Sequence, residues 1–443
     1  MKKLKSKYVV ECMAVFCSIM ILFVMIFYKS DSNVMVDNVL EDVYFAIYVN
    51  GTPSTTFPSR DSGYMLDTSQ SSCTNGASIL WNDEEWSTIV DFTNYQSSET
   101  NRTKCTLYFK NQDFNSAMAT CDDTAANCFK KNSSLSSEIV NDETIHDNLR
   151  YIGANPNNYV WFNYELWRIV GIFNDIDNGS GTKETRLKII RDEQIGAYSY
   201  STAKQNLESG TINFGEWDGN SYLEFLLNGE YESQPVNGSL YYNSLSGTCY
   251  VGTNYATSSC NFINIGLKAQ AKEYFDDALW SSEHPPDDSG MLIVGDYTYP
   301  HSNNTWDFYQ YSNHNIDENN KFGSSNWVGE VGLMNVSDFG FATSGGSTMN
   351  RANCLNHSLY NWNDAGYEDC SNNNWLYKDN ELIWTFSRPA NHAGANYYID
   401  AGRYVSYRIR YYPYSVYPAI YLKSSVKITG GTGSSSDPYQ LSL

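Results

Sequence analysis

Apolar residues gather in one long run near the N-terminus and in short alternating stretches after it. Residues 9–28 form a mostly apolar run of about twenty positions, long enough to cross a bilayer, with Glu11 near its start. Lys2, Lys3, Lys5 and Lys7 precede it, and under the positive-inside rule they keep the N-terminus cytoplasmic. No small-x-small cleavage site follows, so residues 1–30 are expected to be a cytoplasmic tip and transmembrane signal anchor. Residues 31–41 then read as a polar, acidic tether.

Beyond the tether the apolar period shortens to two. Val43–Val49 predicts a strand, Asn50-Gly51 its turn, and 77–81 and 105–109 further strands. Together they predict a small, immunoglobulin-like β-sandwich spacer over 42–111. Residues 112–150 are polar, a disulfide-containing linker ending in an expected helix over 142–149. A larger domain is expected over 151–428. Its first strands are 159–173 and 186–191, joined by the carboxylate-rich turn 174–181. That turn lacks the EF-hand spacing, because Gly179 stands where a calcium ligand is needed. Helices are expected at 221–227 and 267–280, the second with Ala271, Phe275, Ala278 and Leu279 on one face. Strands are expected at 331–342, 382–387, 405–410 and 416–423. Residues 281–330 are loop-rich, with His284, His301 and His314 scattered as surface residues. Residues 429–443, opening on Gly430-Gly431-Thr432-Gly433, read as a flexible tail. The expected class is α+β, mainly β.

Eight cysteines lie outside the apolar run: Cys73, Cys105, Cys121, Cys128, Cys249, Cys260, Cys354 and Cys370. An even number spaced as close neighbours favours disulfides in an oxidising compartment. Neighbour pairing is the preferred connectivity, 73–105, 121–128, 249–260 and 354–370, although spacing alone leaves the others open. Zinc fits poorly, since there is no CxxC and no His at ligand spacing from a Cys pair.

The chain carries a net −21, and without residues 1–30 the remaining 24 basic and 49 acidic residues leave −25. Such a surface repels nucleic acid. One segment runs against this background. Between Arg388 and Lys423, four arginines and a lysine face Asp400 alone. The same stretch is rich in tyrosine, which offers rigid contact area, while arginine adds a planar hydrogen-bonding fork. The candidate ligand-binding residues are Asn391, His392, Asn396, Tyr398, Asp400, Arg403, Tyr404, Ser406, Arg408, Arg410, Tyr411, Tyr412, Tyr414 and Tyr417. In a strand only about half of them can face one side.

No GxSxG, Walker A, GxGxxG or HExxH motif occurs, and no catalytic residue is assigned. Trp362-Asn363-Asp364 matches the Trp-Asn-Asp element with which calcium-binding C-type lectins hold the ion beside a sugar. The tripeptide recurs at Trp81-Asn82-Asp83, and no Glu-Pro-Asn or Gln-Pro-Asp partner is present. Asn363 and Asp364 are therefore weak metal candidates. No cofactor is expected, with calcium the one left open.

Four stretches together resemble a known group: Tyr151-Ile152-Gly153-Ala154-Asn155-Pro156-Asn157-Asn158-Tyr159-Val160, Glu165-Leu166-Trp167-Arg168-Ile169-Val170-Gly171, Val331-Gly332-Leu333-Met334, and Tyr417-Pro418-Ala419-Ile420-Tyr421-Leu422. The group comprises signal-anchored surface proteins of gut Firmicutes-type bacteria. Their C-terminal domain is similar to DUF6273-type domains, which look like the C-type-lectin-like, formylglycine-generating-enzyme-like fold. The resemblance reaches back to residues 42–110. It implies a C-type-lectin-like domain at 151–428. This chain has Ser415-Val416-Tyr417-Pro418 where the group has Gly-Val-Arg-Pro, and it lacks any cysteine after Cys370 that could serve as a copper ligand. The same fold is used by receptors diversified through retroelements, which randomise Asn codons. Lys, Glu, Gln, Met and Trp, unreachable that way, are absent from 391–421.

The function expected is a membrane-anchored, extracellular receptor or adhesin that presents the Tyr/Arg segment to a glycan or protein ligand. Two alternatives stand beside it. One is a surface enzyme acting on glycans or proteins. The other is a pseudopilin-like component, since Glu11 inside an N-terminal apolar helix resembles pilins, but Ser6 and Lys7 stand where their glycine is expected.

Overall fold

A computed structural model describes residues 32–36, 39–59, 63–82, 85–96, 102–142, 146–201, 221–233, 236–253, 255–282, 325–387 and 395–443. The expected anchor at 9–28, the three loop histidines, Asn391 and His392 lie outside them. Among the described residues no helix is long and apolar enough to cross a membrane. The chain is mainly β, with short helices, and divides into two compact units, Met1–Asp113 and Phe114–Leu443.

In the first unit, strand Arg102–Asn111 alternates strictly, with Thr103, Cys105, Leu107 and Phe109 inside. It pairs in parallel with Val39–Val49 and antiparallel with Tyr64–Leu66 and Ser72–Cys73, where Cys73 stands opposite Cys105 and is bonded to it. Asn50 and Gly51 both take positive φ, the geometry of a tight hairpin turn. A separate two-stranded ribbon, Ser78–Asn82 with Ser87–Asp91, sets Trp81 against Phe109.

The second unit is organised by strand Glu165–Asp177. Seven consecutive residues of it are buried, as in a central strand covered on both faces. It pairs with Lys183–Arg191, Leu149–Tyr151 and Tyr159–Phe162, and the sheet continues through Ala419–Tyr421 to Val331–Gly332. A bulge at Val170 brings Gly171 against the neighbouring strand, where any Cβ would collide with the Leu149 carbonyl oxygen. A second, mixed sheet orders Ala197–Ser199, Pro413–Ser415, Ile383–Trp384, Ala395–Ile399 and Val405–Ile409. Disulfides join Cys121 to Cys128, Cys249 to Cys260 and Cys354 to Cys370, which with Cys73–Cys105 is the neighbour pairing throughout.

Four local expectations give way to tertiary contacts. The expected helix at 142–149 is replaced, over its described residues, by a turn: Asp142 N–H donates to the Asn148 carbonyl, and Leu149 begins a strand. The expected helix at 267–280 shrinks to Ala269–Lys272, because Ala278–Ser282 pairs with Ser325–Gly329. The expected strand at 331–342 stops at Gly332. Asn335 and Asp338 then form a capping box that starts helix Val336–Phe341. The 429–443 segment is no loose tail. Lys427–Gly430 pairs with Gln440–Ser442, and fully buried Tyr439 donates to Asn115.

Candidate functional site

The Tyr/Arg segment folds as a hairpin of strands Ala395–Ile399 and Val405–Ile409. Asp400 shapes its turn: its backbone N–H donates to the Tyr404 carbonyl, and its Oδ1 accepts the Gly402 N–H at 2.7 Å. Cross-strand register puts Asn396 opposite Arg408 and Tyr398 opposite Ser406 on one face, and Tyr397 opposite Tyr407 on the other.

On the first face, rings pack outward from the core. Trp384, fully buried, lies 4.6 Å from Tyr414 between centroids, and Tyr398 lies 4.7 Å from Tyr414. Tyr412 stacks beyond Tyr414 at 6.3 Å, and Tyr411 packs on Tyr412 at 4.8 Å. Tyr411 and Tyr412 are half-buried, and the exposed Arg408 lays its guanidinium 4.7 Å over the Tyr412 ring. The inner rungs are held firmly. Trp384 Nε1 donates to the Tyr198 carbonyl at 3.1 Å, and Tyr398 OH donates to Asp400 Oδ2 at 3.0 Å. Burial, then the Asp400 charge, pushes the Tyr398 phenol well above its usual range. A hydrogen bond to Tyr412 raises the Arg408 guanidinium further still.

The fourteen candidates therefore separate. Asp400, Arg403, Tyr404, Ser406, Arg408, Tyr411 and Tyr412 are at least partly accessible. Arg403, at positive φ, reaches Asn372 Oδ1 and lies over Tyr377. Tyr398 and Tyr414 are the buried base of the ladder. Asn396, Arg410 and Tyr417 are corrected to internal supports. Arg410 is 2% exposed, and its Nε donates to Asn396 Oδ1 at 2.6 Å. Asn396 Nδ2 donates to the Thr385 carbonyl at 3.3 Å. Tyr417 OH donates to Glu381 Oε2 at 2.8 Å. A guanidinium or amide sealed inside a domain must satisfy its hydrogen bonds there, and such a group is withdrawn from ligands. Trp384, on which the ladder rests, was not among the candidates. Its single residue carried no signal apart from the strand around it.

The weak metal candidates sit in a turn after buried Trp362, whose Nε1 donates to the Cys354 carbonyl. Asp364 pairs with His357 at 3.4 Å, and His357 stacks on Tyr367. Among the described residues no three His, Cys, Asp or Glu side chains gather as a metal-holding set.

Two further charged groups went unrecognised in sequence. Arg150 donates to Asp142 and Asp338, both at 2.9 Å, and Lys188 donates to Asp338 at 2.5 Å, all within the core. Arg150 also lies 4.7 Å over both Phe173 and Phe341. Glu330 and Asp277 flank the Ala278–Gly329 pair at one end of an antiparallel strand pair, and burial raises both carboxyls. A small recess near Tyr417 is lined by Arg168, Asp192, Trp375 and Lys378. Its cations are already engaged: Arg168 is sandwiched between Tyr159 and Trp375, and Lys378 pairs with Asp192.

Fold and site define a mainly β protein with four disulfides and one aromatic, arginine-topped sheet face. Comparison with known protein families, curated proteins and solved structures finds no match to this chain.

Proposed function

We propose that this is an extracellular binding protein, a receptor or adhesin, whose ligand docks on the face formed by Arg408, Tyr411, Tyr412, Ser406 and Asp400. In this reading residues 9–28 anchor it in the membrane, the first unit is an immunoglobulin-like spacer, and the second is a C-type-lectin-like domain. The ligand is a glycan or a protein. The observation that carries the reading is the grading of the ladder. Buried Trp384, Tyr398 and Tyr414 hold half-buried Tyr412 and Tyr411 and exposed Arg408 in place. Rigid aromatics capped by arginine are the composition of interaction hot spots, and pre-organisation lowers the entropy cost of binding. If the segment is diversified by a retroelement, variation among copies would fall on the accessible positions and spare Asn396, Arg410 and Trp384.

The test is binding of the detergent-solubilised, oxidised full chain to glycan arrays and whole cells, with and without calcium. The comparison variant combines Arg403→Ala, Arg408→Ala and Tyr411→Ala, all accessible positions. Binding by the parent that the folded variant loses supports the reading. Binding that the variant keeps makes the face scaffold.

A further inference from the structure

Arg408 is an exposed cation, unlike four that its unit pairs with carboxylates and unlike buried Arg168 and Arg410, whose guanidiniums are satisfied by amide and carbonyl oxygens. Arg150, Arg186, Arg191 and Lys378 each meet a carboxylate. Arg408 lies over the Tyr412 ring, 4.7 Å from its centroid, and among the described residues no carboxylate pairs with it. It does so on the surface of a chain with a net charge of −21, where acidic partners are abundant. A guanidinium lying over an aromatic ring keeps its in-plane N–H fork free at the edge, the geometry that grips a carboxylate through two parallel bonds.

The surroundings narrow the ligand further. Ser406 shares the face of Arg408, two residues along the strand, and Tyr411 packs beside Tyr412. The turn carboxylate Asp400 lies four residues along the partner strand from Asn396, which is opposite Arg408. At the usual strand rise that separates it from Arg408 by about 13 Å. The face thus offers an anion grip at one end, aromatic surface and hydroxyls in the middle, and a hydroxyl acceptor at the other end. It has little apolar core of the kind that protein interfaces bury.

We infer that the face binds an acidic saccharide, with the sugar carboxylate on Arg408, a ring against Tyr411 and Tyr412, and hydroxyls directed to Ser406 and Asp400. This rests on the reading of the face as the binding surface and specifies its ligand.

The experiment is calorimetric titration of the full chain with matched probes: sialyllactose against lactose, trigalacturonate against galactotriose, and a glutamate-rich peptide. The expected result is at least tenfold tighter binding of one acidic sugar than of its neutral partner, weakening as salt rises. Arg408→Ala should erase that preference, and Arg408→Lys should restore only part of it, because lysine keeps the charge but not the fork. Equal binding of acidic and neutral sugars, or a preference that survives Arg408→Ala, overturns the inference and leaves the broader binding reading intact. Binding of the peptide alone overturns it in favour of a protein ligand. Binding of no probe also overturns it, and the whole-cell screen then decides the broader reading separately. Unchanged melting temperatures of both variants establish that lost preference is not lost fold.

Discussion

Arg150 and Asp338 stand 188 positions apart in sequence and meet at 2.9 Å, each with no more than 2% of its side chain exposed. Asp338 also accepts from Lys188 and from the Asn335 backbone, so one carboxylate ties two strands to the start of helix Val336–Phe341. Removing it takes a buried carboxylate from both Lys188 and Arg150, of which Arg150 keeps Asp142. Asp338→Ala should therefore lower the unfolding free energy by about 3–5 kcal/mol, measured by urea denaturation. A loss under 1 kcal/mol would mean that water reaches the network.

Acid and base act on different carboxyls. Burial pulls the Asp338 carboxyl up, but Lys188 and Arg150 outweigh it and hold it below its ordinary 3.8. Its contribution is complete above that value and is lost as pH falls through the lowered folded value. Glu330 behaves oppositely. Burial raises it above 4.5, with Asp277 adding to the rise, so its penalty is absent in acid and grows as pH climbs through the raised value. The melting temperature should therefore rise modestly as pH falls towards the ordinary 4.5 of Glu330, then fall once pH drops below the ordinary 3.8 of Asp338. Glu330→Gln should flatten the rise and leave the acid limb alone. A steady decline from pH 7 downwards in the parent would contradict this.

Cys354 and Cys370 close a loop of sequence separation 16 around buried Trp362. Loop-closure entropy for such a length is worth about 3 kcal/mol. The double variant Cys354→Ser, Cys370→Ser should lose roughly that amount in chemical denaturation, with a red shift of tryptophan emission as Trp362 loosens. An unshifted spectrum would show that packing alone holds the loop.

Arg408 and Arg410 are two residues apart and do unlike work. Arg410→Ala opens a cavity and takes the Arg410 donor from buried Asn396 Oδ1, so it should cost about 2–4 kcal/mol. Arg408→Ala should stay within about 0.5 kcal/mol of the parent. Thermal melts of the pair would separate structural from surface arginine, and equal losses would put both in the core.

Tyr164 sits at the tip of the hairpin between Tyr159–Phe162 and Glu165–Asp177, at φ 64° and 64% exposed. A tight hairpin turn favours glycine there, and left-handed backbone costs other residues about 1–2 kcal/mol. Tyr164→Gly should stabilise the protein by about 1 kcal/mol. No gain in melting temperature would mean that the exposed ring already offsets the strain by packing.

The mainly β class, the four disulfides and the strand signal over 159–173 were legible from the sequence alone, because spacing and pattern are local properties, although a turn at Asn163 and Tyr164 splits that run and its second strand continues to Asp177. The helix over 221–227 was legible for the same reason, and Tyr222–Leu227 is helical. The segments at 267–280 and 331–342 were misread, since a short continuous apolar run serves helix and strand alike. There the pairing of Ala278–Ser282 with Ser325–Gly329 and the Asn335–Asp338 cap made the choice. The tail was misread because its anchors are distant in sequence: Tyr439 is buried against Phe129 and Asn115, and backbone bonds tie Gly433 and Tyr439 to Tyr159 and Trp161. Composition by itself marked the Tyr/Arg segment. Only tertiary structure divided it, turning Arg410 inward to Asn396 and Arg408 outward over Tyr412. Local chemistry determines which groups a strand carries, whereas the neighbouring layer determines which of them meet water.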